Sequence, residues 1–283
     1  MNHPLLGREE HHYKPGQDIR VLVTGAGGSI GNALPSSMFI KTDVTMAHAA
    51  MDVLDPYAIR VFMEATKPEV ILHLAADKHA PRGEEDPFVV ARVNIEGTEN
   101  IVKAASDYGA RVVLASTCKA VEPETVYGAS KLIAERIVLN AGGTVARLFN
   151  VIESSRNVFA IWEKSARDEG VIRATHCRRY FITLREAVGF ISWACGVCPA
   201  GRYLPDPGSS VLMTNMAVRW ARAHQDECPL EIQTINRRRG DRLTEPFCGK
   251  HEVVHETGIE GIYRVTSPHD EAWSPSSSLT VGV

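Results

Sequence analysis

A short apolar run, Arg20 to Thr24 (RVLVT), passes directly into Gly25-Ala26-Gly27-Gly28-Ser29-Ile30-Gly31, and this junction constrains the chain more than any other stretch. A continuous apolar run of this length, closed by glycines, predicts a strand buried on both faces. Gly25, Gly28 and Gly31 stand three apart where a helix should open. In a dinucleotide site one such glycine permits the tight turn. The next lets backbone approach a pyrophosphate, and the third lets the helix pack close to the strand. The first amide groups of the helix then face the negative charge. Gly25, Gly28, Ser29, Ile30 and Gly31 are therefore candidate cofactor contacts. A plain glycine-rich loop is the competing reading, and placement directly after VLVT argues against it. Pro35 follows early, so the helix must be short or broken.

The rest of the first half keeps a strand–helix rhythm. MFIKTDV (38–44) reads as a second strand, EVILHLAA (69–76) as a third, RVVLAST (111–117) and TVARLFNV (144–151) as further ones. Between them, residues 55–68, 90–109 and 125–142 carry helical apolar spacing with proline or glycine stops. This predicts an α/β fold, a Rossmann-like parallel sheet with helices on both faces plus a smaller C-terminal substrate lobe. The boundaries read as an N-terminal extension (1–19), a dinucleotide-binding domain (20–152), a substrate-binding lobe (153–265) and a Ser/Pro-rich flexible tail (266–283). Within the lobe, residues 185–197 and 216–225 are expected to pack back on the sheet.

A formal net charge of -3 gives no global field to recruit nucleic acid or membrane. The basic run Arg237-Arg238-Arg239 reads as a solvated or anion-binding turn. No apolar run approaches the roughly 18 residues a membrane helix needs. The first residues lack a signal-peptide core, so a cytoplasmic location is expected. The six cysteines then read as reduced thiols. Cys195 and Cys198 have zinc or redox spacing, but no second pair follows, and the end of an apolar helix is the preferred reading.

Tyr127 and Lys131 lie four apart on a predicted helix and share a face. A lysine cation beside a phenol favours the phenolate, which takes a hydroxyl proton as a hydride leaves the same carbon. The strand before them ends in Thr117, whose hydroxyl can bond the same substrate oxygen. Asp43, at the end of the expected second strand, suits ribose hydroxyls and slightly favours NAD over NADP, although Lys41 nearby suits a 2′-phosphate. Asp52 and Val53 are placed to meet adenine, with a turn as the alternative reading for Asp52.

In these motifs the chain resembles the extended short-chain dehydrogenase/reductases, and within them the polysaccharide-biosynthesis UDP-N-acetylglucosamine 4,6-dehydratases. The carrying segments are LLGRE (5–9), VLVTGAGGSIG (21–31), HLAADKHAP (73–81), NIEGTEN (94–100), ASTCKAVEPETVYGASK (115–131), RLFNVIESSRNV (147–158), RRYFITLREAV (178–188) and RRGDRLTE (238–245). The resemblance implies a nicotinamide cofactor, NAD or NADP, and a UDP-sugar substrate. It implies that Tyr127 and Lys131 are the oxidising pair, and that Ala75, Ala76, Lys78 and Asn94 contact the cofactor. Lys78 and His79 would line the junction of nicotinamide and sugar. Asn150, Val158, Arg179, Arg239 and Glu245 would contact substrate, with Arg179 and Arg239 on the diphosphate and Glu245 orienting the nucleotide or that arginine. Thr117, Cys118 and Lys119 stand at the family's Thr-Asp-Lys positions, where Asp protonates the leaving C6 hydroxyl and Lys takes the C5 proton of a 4-keto sugar. Lys119 is expected to have its proton affinity lowered by burial.

Two departures matter. Cys118 replaces the aspartate, and a thiol is the weaker acid (reference pKa about 8.5 against about 3.9). The reading therefore keeps three outcomes: 4,6-dehydration, release of a 5,6-ene, and 4- or 5-epimerisation without elimination. The stretch from Gly31 to Asp43 is also short, which predicts an abbreviated adenosine pocket. A catalytically silent dinucleotide-binding protein is the reading from another class, and the retained Tyr127 and Lys131 weigh against it. Homo-oligomerisation is expected, with segment 1–19 as a latch onto a neighbour.

Overall fold

A computed structural model describes residues 3–12, 19–34, 44–47, 51–155, 157–196, 198–224, 231–237 and 240–270. The first strand, β1 (Val21–Thr24), leads through the glycine turn into α1 (Ser29–Ala33). Then follow β2 (Val44–Ala47), α2 (Pro56–Thr66) and β3 (Val70–His73). The short helices α3 (Ala80–Glu85) and α4 (Pro87–Ala91) run into a π-helical turn, Arg92–Glu96, and on into α5 (Gly97–Tyr108). Next come β4 (Arg111–Thr117), a 3-10 turn at Cys118–Ala120, α6 (Val126–Asn140), β5 (Thr144–Leu148) and β6 (Asn150–Val151). The second half holds α7 (Val158–Glu169), β7 (Val171–Thr175), β8 (Arg178–Arg179), β9 (Phe181–Ile182), α8 (Leu184–Gly196) and β10 (Gly201–Pro205). It ends with β11 (Val211–Leu212), α9 (Met213–Ala223), β12 (Glu231–Ile235), β13 (Val253–Glu256) and β14 (Ile262–Thr266).

The main sheet has eight strands in the order β13-β14-β10-β5-β4-β3-β1-β2. From β2 to β10 neighbours are parallel, and β14 and β13 close the edge antiparallel. The Rossmann-like architecture read from the sequence is the one found. Both faces are covered, so alternate residues feed separate cores. Leu22, Ile71, Leu114 and Val145 pack with α2, α5 and α6. Val21, Val23, Leu72 and Val113 face α8, which is buried continuously from Glu186 to Cys195. A third core, around Trp162, Phe159 and Trp220, belongs to the lobe. The chain leaves β1 for β2 on one side and reaches β3 on the other. The sheet's switch point therefore lies between the C-terminal ends of β1 and β3, where this architecture opens its ligand crevice.

Several local expectations change. The second strand is Val44–Ala47, beginning where 38–44 was expected to end, and residues 35–43 lie outside the described ones. The 144–151 strand breaks at Phe149, because β6 leaves the sheet to pair with β9. Residues 3–12 of the N-terminal segment pack on the chain itself. Leu5 and Leu6 pack against the lobe core, and Arg8 forks onto the fully buried Glu186 carboxylate at 2.6 and 3.3 Å. Glu186 also closes a capping box on α8, accepting from the Thr183 amide at 2.9 Å while Thr183 Oγ1 accepts from the Glu186 amide at 3.1 Å. Cys195 and Cys198 are buried, and the carbonyls of both accept from the Arg111 guanidinium.

Candidate active site

At the switch point Gly25 and Gly31 meet backbone demands that only glycine satisfies. Gly25 has φ +66, and a Cβ there would lie 2.5 Å from the Ala75 nitrogen across the crevice floor. A Cβ on Gly31 would lie 2.3 Å from the Ala26 carbonyl oxygen, so only glycine lets α1 sit this close to the turn. At Gly27 an added Cβ meets nothing within 4 Å, which leaves the outer side of the cradle open. Gly28 caps α1 in extended conformation, and Ile30 packs on the core beneath. A closed, glycine-floored turn with an open outer side fits the pyrophosphate of a dinucleotide.

Under this cradle runs a chain of neutral hydrogen bonds. The Ala75 amide donates to Thr24 Oγ1 (3.2 Å), which faces His73 Nδ1 (2.8 Å), and His73 Nε2 faces Thr98 Oγ1 (3.1 Å). The Thr98 hydroxyl donates to the Asn94 carbonyl (2.7 Å). With both ends fixed, each hydroxyl donates onward and His73 carries its proton on Nε2. Burial, helped by the Lys131 cation, pushes the His73 pKa down to about 3. Asn94, in the π-helical turn, accepts from the Asp77 amide (2.8 Å) and donates to the Asp77 carbonyl and to Ser130 Oγ (both 2.9 Å). It thereby ties the loop after β3, with Ala75, Ala76 and Lys78, to the helix that carries Tyr127 and Lys131. Asp52 is exposed and accepts from the Leu54 amide at 2.9 Å, and the buried Val53 offers its carbonyl to Asn100 at 3.1 Å. Ser29 Oγ meets Ser155 Oγ and accepts from the Ser155 amide, each at 2.8 Å, while Lys78 Nζ lies 3.5 Å from the Ser155 carbonyl. His79 caps α3 by accepting from the Arg82 amide at 3.2 Å. Asp43, Lys41 and Arg239 lie outside the described residues.

The other wall is charged. Glu245, 1% exposed, gathers four side chains from three distant segments. Its Oε1 lies 2.8 Å from Lys119 Nζ and 3.2 Å from Arg179 Nε. Its Oε2 accepts from Asn150 Nδ2 at 2.7 Å and from the Cys118 thiol at 3.4 Å. Lys119 also donates to Asn150 Oδ1 at 3.1 Å. Val158 opens α7 and packs against the lobe core.

The electrostatics correct two expectations. Lys119 is not turned toward neutrality: burial pulls that way, but the Glu245 carboxylate overrides it and raises the proton affinity above an ordinary lysine's. Glu245 itself is held below the usual carboxylate range, since Lys119 and Arg179 outweigh its burial. Tyr127 is not acidified either, because burial pushes its phenol up to about 12 against the pull of Lys119 and a hydrogen bond from Thr117. Burial and then Glu245 push the Cys118 thiol up to about 12. Lys131 is pushed down to about 8 by burial, opposed by Glu135 one turn along α6.

Sequence reasoning missed the supports of this wall. Glu135 is fully buried; it accepts from Ser116 Oγ (2.5 Å), forks onto Arg147 (2.9 and 2.8 Å) and meets Arg202 (3.0 Å). Arg147 continues to Glu252 and Arg202 to Asp270, so the last described segment clamps α6 and the end of β4. Arg242 donates to the Val121 carbonyl (2.7 Å) and fixes the loop between Lys119 and Tyr127. The available signal was an arginine inside each apolar strand run, 144–148 and 201–205, since an unpaired buried charge is not tolerated.

Among the described residues, no helix is long and apolar enough to cross a membrane. EpsC of Bacillus subtilis, a probable polysaccharide biosynthesis protein, is 31% identical over 277 residues, which cover 83% of this chain and 46% of EpsC. The chain thus spans about half the length of that relative. A UDP-N-acetylglucosamine 4,6-dehydratase (inverting) of Campylobacter jejuni is 26% identical over 282 residues, 87% of this chain and 82% of that protein. The structure of Thermus thermophilus UDP-glucose 4-epimerase in complex with NAD superposes with a TM-score of 0.73 at 20% identity, covering 80% of this chain and 89% of that one, a likeness of fold. Residues 37–267 match the family described as polysaccharide biosynthesis protein, and the chain belongs to that family.

Proposed function

We propose that this chain is a nicotinamide-dependent nucleotide-sugar dehydratase acting on UDP-N-acetylglucosamine or a similar UDP-hexosamine. The observation that carries the reading is the meeting of Tyr127, Thr117, Cys118 and Lys119 at the C-terminal end of β4, across from the glycine cradle. The likeness to a UDP-N-acetylglucosamine 4,6-dehydratase over most of both chains supports the substrate class. A nicotinamide dinucleotide, when bound, supplies the acceptor and donor of hydride. Gly25, Gly28 and Gly31 would hold its pyrophosphate, and Tyr127 and Lys131 its reactive end.

The chain's own residues handle protons and position. Tyr127 would take the proton from the sugar O4 hydroxyl as a phenolate, with Thr117 bonded to the same oxygen. Lys119 and Thr117 favour that phenolate, and the positive charge of an oxidised nicotinamide would favour it further when bound. Once C4 is a ketone, the C5 proton is acidic and Lys119 removes it. The C6 hydroxyl leaves beside Cys118. Arg179 holds the diphosphate, for which a forked guanidinium is suited. A second reading, 4- or 5-epimerisation without elimination, is favoured by one observation: Cys118 is a thiol pushed up to about 12, a poor acid for expelling hydroxide.

Mass spectrometry of the product from UDP-N-acetylglucosamine tests both. Loss of the mass of one water supports dehydration, and a ketone-trapping reagent then separates a 4-keto sugar from a 5,6-ene. An isomer of unchanged mass would replace the reading with epimerisation. Neither product nor transient reduced cofactor would leave a silent dinucleotide-binding protein.

A further inference from the structure

The Lys119–Cys118 pair shares a buried carboxylate to which the elimination steps proposed above assign no role. Glu245 turns one oxygen to the ammonium of Lys119 (2.8 Å) and the other to the thiol of Cys118 (3.4 Å). The C5 base and the group beside the leaving hydroxyl are thus joined through one buried carboxyl. Glu245 is 1% exposed, so it acts through these two side chains rather than on the sugar. Arg179 is its remaining cation, at 3.2 Å.

We propose that Glu245 is a proton relay between Lys119 and Cys118, which lets a thiol do the work of the missing aspartate. This rests on the dehydratase reading above. The cycle balances. Lys119 passes a proton to Glu245, leaving a neutral amine and a carboxylic acid. The amine takes the C5 proton, and the electron pair of that bond enters the enolate of the C4 ketone. The enolate pair then forms the C5–C6 double bond as the C6–O bond breaks. Cys118 donates its proton to the departing hydroxyl, and Glu245 returns a proton to the sulfur. Water leaves, and ammonium, carboxylate and thiol are restored.

Two features of the site favour this route. A free thiolate here would be a high-energy anion, because the thiol sits in a buried place against a carboxylate, and concerted return of a proton from Glu245 removes that intermediate. Lys119 starts as an ammonium, which cannot act as a base, so it needs an acceptor within reach, and Glu245 is that acceptor. Diphosphate binding at Arg179 would withdraw one cation from Glu245 and raise its basicity when substrate is present.

The test compares the full chain with Glu245→Gln, Cys118→Asp and the double variant, using UDP-N-acetylglucosamine in deuterated water. Two rates are read for each protein: deuterium entry at C5 and loss of water. In Glu245→Gln the half-buried Lys119 loses the carboxylate that favours its ammonium form. C5 exchange should persist while elimination falls about 100-fold, the scale of one general acid–base contribution. Cys118→Asp carries its own acidic proton, so in the double variant elimination should recover at least about tenfold relative to Glu245→Gln alone. Unchanged elimination in Glu245→Gln overturns the relay. Parallel loss of exchange and elimination without recovery in the double variant also overturns it, leaving Glu245 a structural residue. The thermal midpoint of each variant, read by tryptophan fluorescence, identifies a protein that failed to fold, and Glu245→Met, which also lacks the carboxylate, then takes its place with the same expected split between exchange and elimination. A wild-type protein that neither exchanges C5 nor loses water overturns the dehydratase reading and the relay together.

Discussion

The two walls of the crevice are built on opposite principles. The wall beneath the glycine cradle is neutral. Its polar groups, Thr24, His73, Thr98 and Asn94, form one hydrogen-bond chain in which donors and acceptors match, and burial holds His73 uncharged. The opposite wall is ionic. Arg179 and Glu245 are buried with a half-buried Lys119, and the Glu245 carboxylate and Lys119 ammonium each favour the other's charged form, with Glu135, Arg147 and Arg202 as a second ionic layer behind. A neutral network changes little with pH near neutrality and leaves the amides of the cradle, with Lys78 beside them, to meet an incoming anion. An ionic network stores proton donors and acceptors at short range, and it fails badly if one member is removed.

The comparison can be broken at several points. Tyr127→Phe removes the only proton acceptor proposed for O4, and product formation, followed by mass spectrometry, should fall about 100- to 10,000-fold with the thermal midpoint little changed. Glu135→Ala leaves Arg147 and Arg202 buried beside an empty partner, and urea unfolding should show a loss of about 3–5 kcal/mol. Gly31→Ala drives a Cβ into the Ala26 carbonyl on the neutral wall; it should cost about 1–3 kcal/mol and weaken dinucleotide binding measured by fluorescence titration.

The smallest effect sharpens the contrast in pH. His73 has its pKa lowered on folding, from 6.5 to about 3. The unfolded chain therefore binds this proton first as pH falls. The stability His73 contributes is complete above pH 6.5 and declines by at most about 1.4 kcal/mol per pH unit between 6.5 and 3. His73→Gln should flatten the urea-denaturation profile from pH 6.5 to 5. An unchanged slope would show that His73 is not the group responsible.

Much of the neutral wall was legible because it is local. Gly25, Gly28 and Gly31 follow one strand, and the HLAA and NIEGT segments each sit inside a single turn of chain, so motif and contact coincide. His73 was inside a recognised motif, yet its role depends on Thr24 and Thr98, 49 and 25 residues away. Of the ionic wall, Lys119, Cys118, Asn150, Arg179 and Glu245 were named from the sequence, with an arginine as one possible partner of Glu245, while Glu135, Arg147 and Arg202 behind them were not. Cys118 and Glu245 are 127 residues apart, and nothing in either segment says that they touch. The expected low proton affinity of Lys119 failed for the same reason, since burial was foreseen and the carboxylate opposite was not.

What the sequence alone determined is the periodic part: apolar runs long enough for buried strands, amphipathic helices between them, and glycines where backbone must pass close to backbone. These follow from local sterics and from the need to bury one face, and neighbours in the chain suffice to specify them. Proton affinities and pairings were decided only by the tertiary structure. A charge in a low-dielectric interior responds to the few groups within several ångströms of it, and folding alone selects which distant residues those are.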